Sequence, residues 1–430
     1  MSNFRIILTV VFAAFIVIGV IMFSLFRGNS GGAQLEQITV WGNIPESIFS
    51  KYLESVNSSK DAKVLVNYVE KEINSFDRDF IEALASGVGP DAILLSQDQI
   101  LRYKNKLYPI PYSSIPERSF KDTFIQEAEL YLFSDGIIAL PLSIDPLVMY
   151  WNRDMFTDAL LVQPPSYWDE FFSLIGKITK VDGNLNVLRS ATALGEFKNI
   201  ANAKEILSLL IFQAGNPIVK IGDQGLESVL SKNAGFNIPP TEAAIRFYTE
   251  FSNPSKASYS WNRSLPLSTL NFLSEDLAIY FGFASELDGI KLKNPNLNFD
   301  VAVVPQRREA KTKITFGKMQ GFALVKSSKK LASAYATISL LTSKDNISEW
   351  SKISGLPPVR RDLLSVGSVD PIGSIFYASA IISRAWLDPN REETKNILQN
   401  MVESAISGKL RLSESVRQAD EEIQSFLNKR

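Results

Sequence analysis

The sequence predicts an α/β fold divided into two domains behind one amino-terminal transmembrane helix, and three observations predict it. Between residues 35 and 96, short runs rich in β-branched and aromatic residues alternate with amphipathic segments across short joints, the pattern of a parallel sheet covered by helices. The chain has 430 residues, more than one hydrophobic core usually serves. Residues 6–26, "IILTVVFAAFIVIGVIMFSLF", carry no charge, and as a helix would span roughly 31 Å, about the thickness of a hydrocarbon core.

The elements follow in order. Arg5 and Arg27 flank the apolar run. It is longer than the core of a secretory signal, typically about 7–15 residues, so an uncleaved anchor is expected. Gly31-Gly32-Ala33 leaves cleavage as the alternative, and "GNSGGA" reads as a flexible tether. "LEQITVW" is a first strand, residues 46–56 an amphipathic helix, "KVLVNYVE" a second strand and "DAILLS" a third. Residues 77–86 form a helix stopped at Gly87-Val88-Gly89-Pro90. These glycines end a helix and lead into a strand, the reverse of a phosphate cradle, so they are C-capping glycines. In "QPPSYWDEFFSLIGKIT", Ser166 and Asp169 suggest a capping box before the stripe Phe171, Phe172, Leu174, Ile175 and Ile178. Further helices are expected at 202–214, 240–251, 264–273, 331–341, 345–352 and 394–407. Strands are expected at 277–281, 299–304 and 321–325.

Composition removes several chemistries. With 45% hydrophobic and 21% charged residues the chain is globular, and a formal net charge of −1 lacks the basic footprint of nucleic-acid binding. There is no cysteine and no histidine. Disulfides, thiolate nucleophiles, His-based triads and His- or Cys-ligated metals cannot be built from it. No cofactor or metal is expected.

One stretch, "GIIALPLSIDPLVMYWNRDMF" (136–156), places a hydroxyl and a carboxylate inside an apolar run. If the joint 141–146 is extended, as its prolines favour, Ser143 and Asp145 share one face. A carboxylate there must be solvated or paired, since an unpaired buried charge is costly. It could line a wet cleft, cap the next turn or pair with Arg153.

Eight segments together resemble the extracellular solute-binding proteins of ABC importers, in the branch that contains maltose-binding protein: "ITVWGN", "FIEALASGVGPDAILLSQDQI", "IIALPLSIDPLVMYWNRDMF", "PPSYWDEF", "FLSEDLAIYFGFASEL", "DVAVVPQ", "MQGFALVKSSKKLASAYATISLLTS" and "SAISGKLRLSESVRQADEEI". Their order and spacing match along nearly the whole chain after residue 35. Three features depart from the family: Glu275-Asp276 stands for a small-basic pair, Phe283 for a Trp, and the anchor for a signal peptide or lipid-attached Cys. The resemblance implies a two-lobed, type II periplasmic-binding-protein-like fold that closes over a solute. It divides the chain into a cytoplasmic tip 1–5, the anchor 6–26 and a tether 27–35. Lobe 1 would be 36–144 with about 305–343, and lobe 2 would be 145–304 with about 344–430.

The resemblance also implies a site. "PLSIDPL" would be the first crossing between lobes, putting Ser143 and Asp145 on the cleft floor. Asp98 matches a family ligand position, with Gln97 and Gln99 beside it at the carboxyl end of the third strand, where open α/β sheets bind ligands. A helix-capping Asp98 is the alternative. Trp41, Gly42 and Asn43 occupy the equivalent end of the first strand, with an ordinary turn as the alternative. Phe283 matches a stacking ring, Trp386 lies in a segment that supplies another, and Trp261 is a third candidate, whereas Trp151 and Trp168 read as core. The implied function is a membrane-anchored, extracytoplasmic receptor that delivers a small solute, most readily a carbohydrate, to ABC permease subunits. A lobe feeding a membrane sensor or envelope assembly shares every one of these features. A glycoside hydrolase using carboxylates alone needs two acids flanking a sugar bond, and no such pair is marked by spacing.

Overall fold

Three parallel strands open the fold: β1 (Ile38–Gly42), β2 (Val66–Glu70) and β3 (Ala92–Ser96), with β1 between the other two. Parallel neighbours need crossovers, and two helices supply them, α1 (Glu46–Ser58) and α2 (Phe76–Ala85). Phe49, Tyr52 and Val56 fall three and four apart on α1, as do Phe76, Phe80 and Ala83 on α2, so each helix buries one stripe against the sheet. Gly87 takes φ +72° just past α2 and Val88 N donates to Ala83 O at 3.0 Å, the C-capping role expected of it. The first strand begins three residues later than the sequence suggests. This computed structural model describes residues 36–58, 64–222, 225–233 and 235–429. The tip, anchor and tether (1–5, 6–26 and 27–35) lie outside the described residues, among which no helix is long and apolar enough to cross a membrane.

The stretch holding Ser143 and Asp145 is one uninterrupted strand, β4 (Leu140–Asn152). The second part of the sheet adds β5 (Lys180–Val181), β6 (Val187–Thr192), β7 (Leu277–Phe283) and β8 (Phe299–Ala302). A second long strand, β9 (Thr315–Val325), and a short one, β10 (Ser383–Arg384), complete it. The order is β2-β1-β3-β9-β4-β7-β6-β5, with β8 on β4 and β10 on β9. Residues 140–146 of β4 pair with β9 on one side only, and the pairing with β7 starts at Leu147. Pro141 and Pro146 therefore sit where a missing N–H breaks no ladder. β9 is longer than the expected 321–325 because its first half pairs with β4 and only its second half with β3.

Two local expectations are corrected. The capping acid of the helix Glu170–Ile178 is Glu170, whose Oε2 accepts from Ser166 N (2.8 Å) and Tyr167 N (3.2 Å), while Asp169 pairs with Arg308 at 2.6 Å. The helix expected at 264–273 spans only Ser268–Leu273, since Pro266 disfavours helical backbone in the residue before it. A lobe boundary near 344 also meets a difference. Trp350 of α4 (Lys344–Ser354) packs on Phe49 and Tyr52 of α1, with centroids 6.4 and 5.2 Å apart. The apolar face of α4 thus completes the β1–β3 side of the molecule.

On the other side, α3 (Ala203–Ala214) is buried almost throughout and packs against α5 (Arg391–Ile406). The last helix, α6 (Leu412–Asn428), holds the hairpin 219–228 through Asp420, which accepts from Ser228 Oγ at 2.5 Å and Leu230 N at 3.0 Å. α3 and α5 are tied by a buried charge. Lys204 Nζ donates to Asp388 Oδ2 (2.5 Å), Thr394 Oγ1 (2.7 Å) and Arg391 O (3.0 Å), with the two charged side chains 9% and 5% exposed. Removing one partner of such a pair leaves the other uncompensated. Asp388→Ala is therefore expected to lower stability by about 3–5 kcal/mol in urea unfolding, whereas Lys409→Ala, on the surface, changes little.

Candidate functional site

Because β1 and β3 run parallel, their carboxyl ends lie side by side, and the turns that follow present polar groups at one edge of the sheet. After β3, Ser96 Oγ donates to Asp98 Oδ1 and approaches Gln99 Oε1 at 3.0 Å, while Ser96 N donates to Gln99 Oε1 at 3.2 Å. This reciprocal cap fixes where the Asp98 carboxylate points. Gln97 turns inward, and its Oε1 accepts from Met319 N of β9 at 3.0 Å. After β1, Asn43 Oδ1 accepts from Gln320 Nε2, also on β9, at 2.8 Å.

Facing these turns is the amino terminus of α5. Asn390 caps it by accepting from Glu393 N, and Arg391 and Glu392 project beside the cap. Between the two sides lies a cavity of about 180 Å³. Asn43, Ser96, Asp98 and Gln99 line it from one side, Asn390, Arg391 and Glu392 from the other, with Phe76, Asn74, Asp77 and Arg102 along its flank. Arg391 Nε stands 3.7 Å from Asp98 Oδ2, so an ion pair spans the gap. Arg102 is paired with Asp77 on the same wall.

Of the residues singled out in the sequence, Asn43, Asp98 and Gln99 line this cavity, and Gln97 is buried at its base. Trp41 and Gly42 do not line it. Lys71 Nζ lies 4.0 Å over the Trp41 ring, and a Cβ on Gly42 would come within 2.6 Å of Leu94 Cδ1 and 2.8 Å of the Tyr68 hydroxyl. Glycine at 42, the last residue of β1, accommodates those neighbours. Ser143 is 3% exposed opposite Gln320.

Asp145 neither caps the turn that follows it nor pairs with Arg153, but holds a distant turn. Its oxygens accept from Ser285 N (3.0 Å) and Ser285 Oγ (2.6 Å) at the turn after β7. Burial pushes its carboxyl up to about 6, against the pull of the Ser285 hydrogen bonds and of Lys318, its register partner on β9. Lys318 also covers the aromatic ring expected to stack a ligand. Its Nζ lies 3.7 Å from the Phe283 centroid and 3.6 Å from Glu205 Oε1. Burial pushes the Glu205 carboxyl up, but Lys318, Lys204 and Arg391 outweigh it and hold the group below its usual range.

Two other aromatics fall elsewhere. Trp261 is fully buried and donates from Nε1 to Asn199 Oδ1 at 3.1 Å, so it is core with its one polar atom satisfied. Trp386, 3% exposed, lines a separate cavity of about 390 Å³ together with Leu130, Phe212, Val219 and Leu387. Trp151 and Trp168 are buried, as expected of core residues. Ser96 belongs to the polar group that the sequence reading placed at the end of the third strand, whereas that reading missed Asn74, Asp77, Arg102, Asn390, Arg391 and Glu392. For the last three a local signal existed: "DPN" before "REET" marks a capped helix start.

Comparison with known proteins agrees with this architecture. A putative binding protein of Brucella abortus (strain 2308) is 21% identical over 337 residues, 76% of this chain and 77% of its own length. A cyclo/maltodextrin-binding protein solved with maltotetraose superimposes with a TM-score of 0.73 at 17% identity, over 91% of this chain and 97% of the other. The sugar-binding protein MalE of Xanthomonas citri gives 0.73 at 16% identity, over 92% and 98%. At such identities the likeness establishes the two-lobed α/β fold. The family model for bacterial extracellular solute-binding proteins matches residues 51–370, and the chain belongs to that family.

Proposed function

We propose that this chain is an extracytoplasmic receptor that captures an uncharged carbohydrate in the cavity between Asp98 and Arg391 and delivers it to an ABC importer. The single observation behind this reading is the cavity itself. It lies at the carboxyl ends of β1 and β3, is walled by amide, hydroxyl and charged groups from both sides, and is bridged by one ion pair. Sugar hydroxyls need such donors and acceptors, and Phe76 supplies an apolar wall for C–H faces. The solved structures that share the fold include proteins bound to maltotetraose and acarbose. The charges favour a neutral guest: Asp77 is paired with Arg102 and Asp98 with Arg391, so a charged guest must displace one of these partners.

At about 180 Å³ the cavity is smaller than the roughly 300–1,000 Å³ of common ligand pockets, so an oligosaccharide requires the lobes to part before they close on it. Residues 6–26 would hold the receptor at the membrane, and ABC permease subunits would be its partners.

Two outcomes test the reading. Across a panel of neutral oligosaccharides, the true guest is expected to raise the melting temperature of the full chain by the equivalent of about 2.7 kcal/mol at 100 times its dissociation constant. A panel in which none shifts the melt counts against carbohydrate binding. By calorimetric titration, Asp98→Asn is expected to weaken that guest by about 1.5–3 kcal/mol, the range for a hydrogen bond to a charged group. Trp386→Phe, in the other cavity, leaves its affinity unchanged. The reverse result would move the site to the Trp386 cavity.

A further inference from the structure

The turn Gln126–Tyr131 buries Glu127 to 2% exposure, and neither of its carboxyl oxygens has a hydrogen-bond partner. Buried polar atoms are nearly always paired, and an unpaired buried charge is far more costly than an unpaired neutral group. Its position gives the anomaly meaning. A Cβ added at Gly317 of β9 would stand 2.2 Å from Glu127 Oε2, and the same point is bounded by Ile144 Cδ1 of β4 and the Ser383 side chain of β10. β4 and β9 are the long strands shared by the two sides of the molecule, and β10 pairs with β9. The carboxyl is thus wedged where the connecting strands meet, and rotating them against the Gln126–Tyr131 turn changes its surroundings.

The groups facing it are few. β4 presents Ile144 and β9 presents Gly317, neither of which titrates. From β10 comes Arg384, whose guanidinium is the one cation acting on the carboxyl among the described residues and which also feels Glu129 and Arg361. From its own turn comes Tyr131, whose hydroxyl donates to Leu95 O at 3.0 Å and which burial keeps uncharged. Arg384 is not bound to Glu127. Its Nη1 donates to Ser383 O at 2.6 Å and its Nη2 to Gln126, and it lines the 390 Å³ cavity beside Trp386, which gives its side chain room to move.

We propose that Glu127 is a proton-operated hinge group, neutral in the lobe arrangement seen here and ionised in a rotated arrangement where its carboxylate reaches water or Arg384. Burial pushes the carboxyl up to about 8, and Arg384 draws it down without cancelling that rise. The sign follows from linkage. The present arrangement binds the proton more tightly than one with a wet carboxyl of pKa about 4.3. Its advantage is complete below that value and is lost as pH rises through about 8. Acid favours the present arrangement and mild alkali releases it. The device is independent of what the cleft binds.

The chain has no cysteine, so two introduced thiols label cleanly. Val88→Cys and Leu292→Cys, 72% and 82% exposed on the two sides of the sheet, would carry a dye pair in the full, ligand-free chain. Energy transfer is followed between about pH 4 and about pH 9.5, a window that brackets both protonation limits. The expected result is a change of distance with a midpoint between about 4.3 and about 8, absent in Glu127→Gln and moved upward in Arg384→Met. A flat wild-type profile, or a Glu127→Gln profile like the wild type, overturns the proposal. Should Glu127→Gln fail to fold, an Arg384→Met midpoint identical to wild type overturns it equally.

Discussion

The antiparallel pairing of β4 with β9 is the constraint on which the rest depends. Three parallel strands on one side and β7, β6 and β5 on the other become one sheet only because these two long strands run alongside each other between them. The register places Gly317 opposite Pro146 and Phe322 opposite Leu140, with a shift between Gln320 and Gly321. That shift needs glycine, since a Cβ at 321 would stand 2.7 Å from Leu140 O. A one-residue slip would send every side chain of β4 to the other face, exchanging Ser143 and Asp145 for Leu142 and Ile144. The pairing therefore fixes both the relation of the two sides and the chemistry shown at their junction.

The cavity hangs on the same pairing. Asn43 and Gln97 each reach across to β9, one to a side chain and one to a backbone amide, so the turns after β1 and β3 are anchored to it. On the opposite wall, Glu205 ties α3 to Lys318 of β9, and Lys204 ties α3 to the start of α5 through Asp388. Each contact has a structural job first. Together they hold Asp98 and Arg391 in line across a gap neither element could set alone.

Strand and helix types were legible where pattern is local, as in the alternation of β1 to β3 and the amphipathic faces of α1 and α2. Asp98 and Asn43 were legible because they end parallel strands, a position with general meaning. The aromatics were not. Trp261 and Trp386 sit in polar sequence, yet Asn199 closes over one and the hairpin 219–228 with the turn 126–131 walls in the other. Burial made by segments 60 or more residues distant leaves no trace in neighbouring letters. Phe283 ends β7, and the lysine over its ring comes from β9, 35 residues on. Arg391 was invisible for a like reason: its partner Asp98 lies on the far wall.

Asp145 and Glu127 show how partners and depth together decide what an acid at the crossing does. Both are raised by burial. Asp145 receives two donors from Ser285 and the field of Lys318, and its carboxyl rises only to about 6. Glu127 receives a distant Arg384 and no hydrogen bond, and rises to about 8. The first is fixed in a cap by two hydrogen bonds, and the second has none to hold its charged form. Glu127 packs beside Ile144 and Asp145 is the next residue along β4, so the alternation of strand side chains sends the two acids to opposite faces of the same strand. One short segment at the crossing thus carries a hydrogen-bonded carboxyl towards β7 and an unpaired one towards β10. Backbone movement there is felt by both, so changes at 143–146 should not add independently of changes at Glu127 or Lys318.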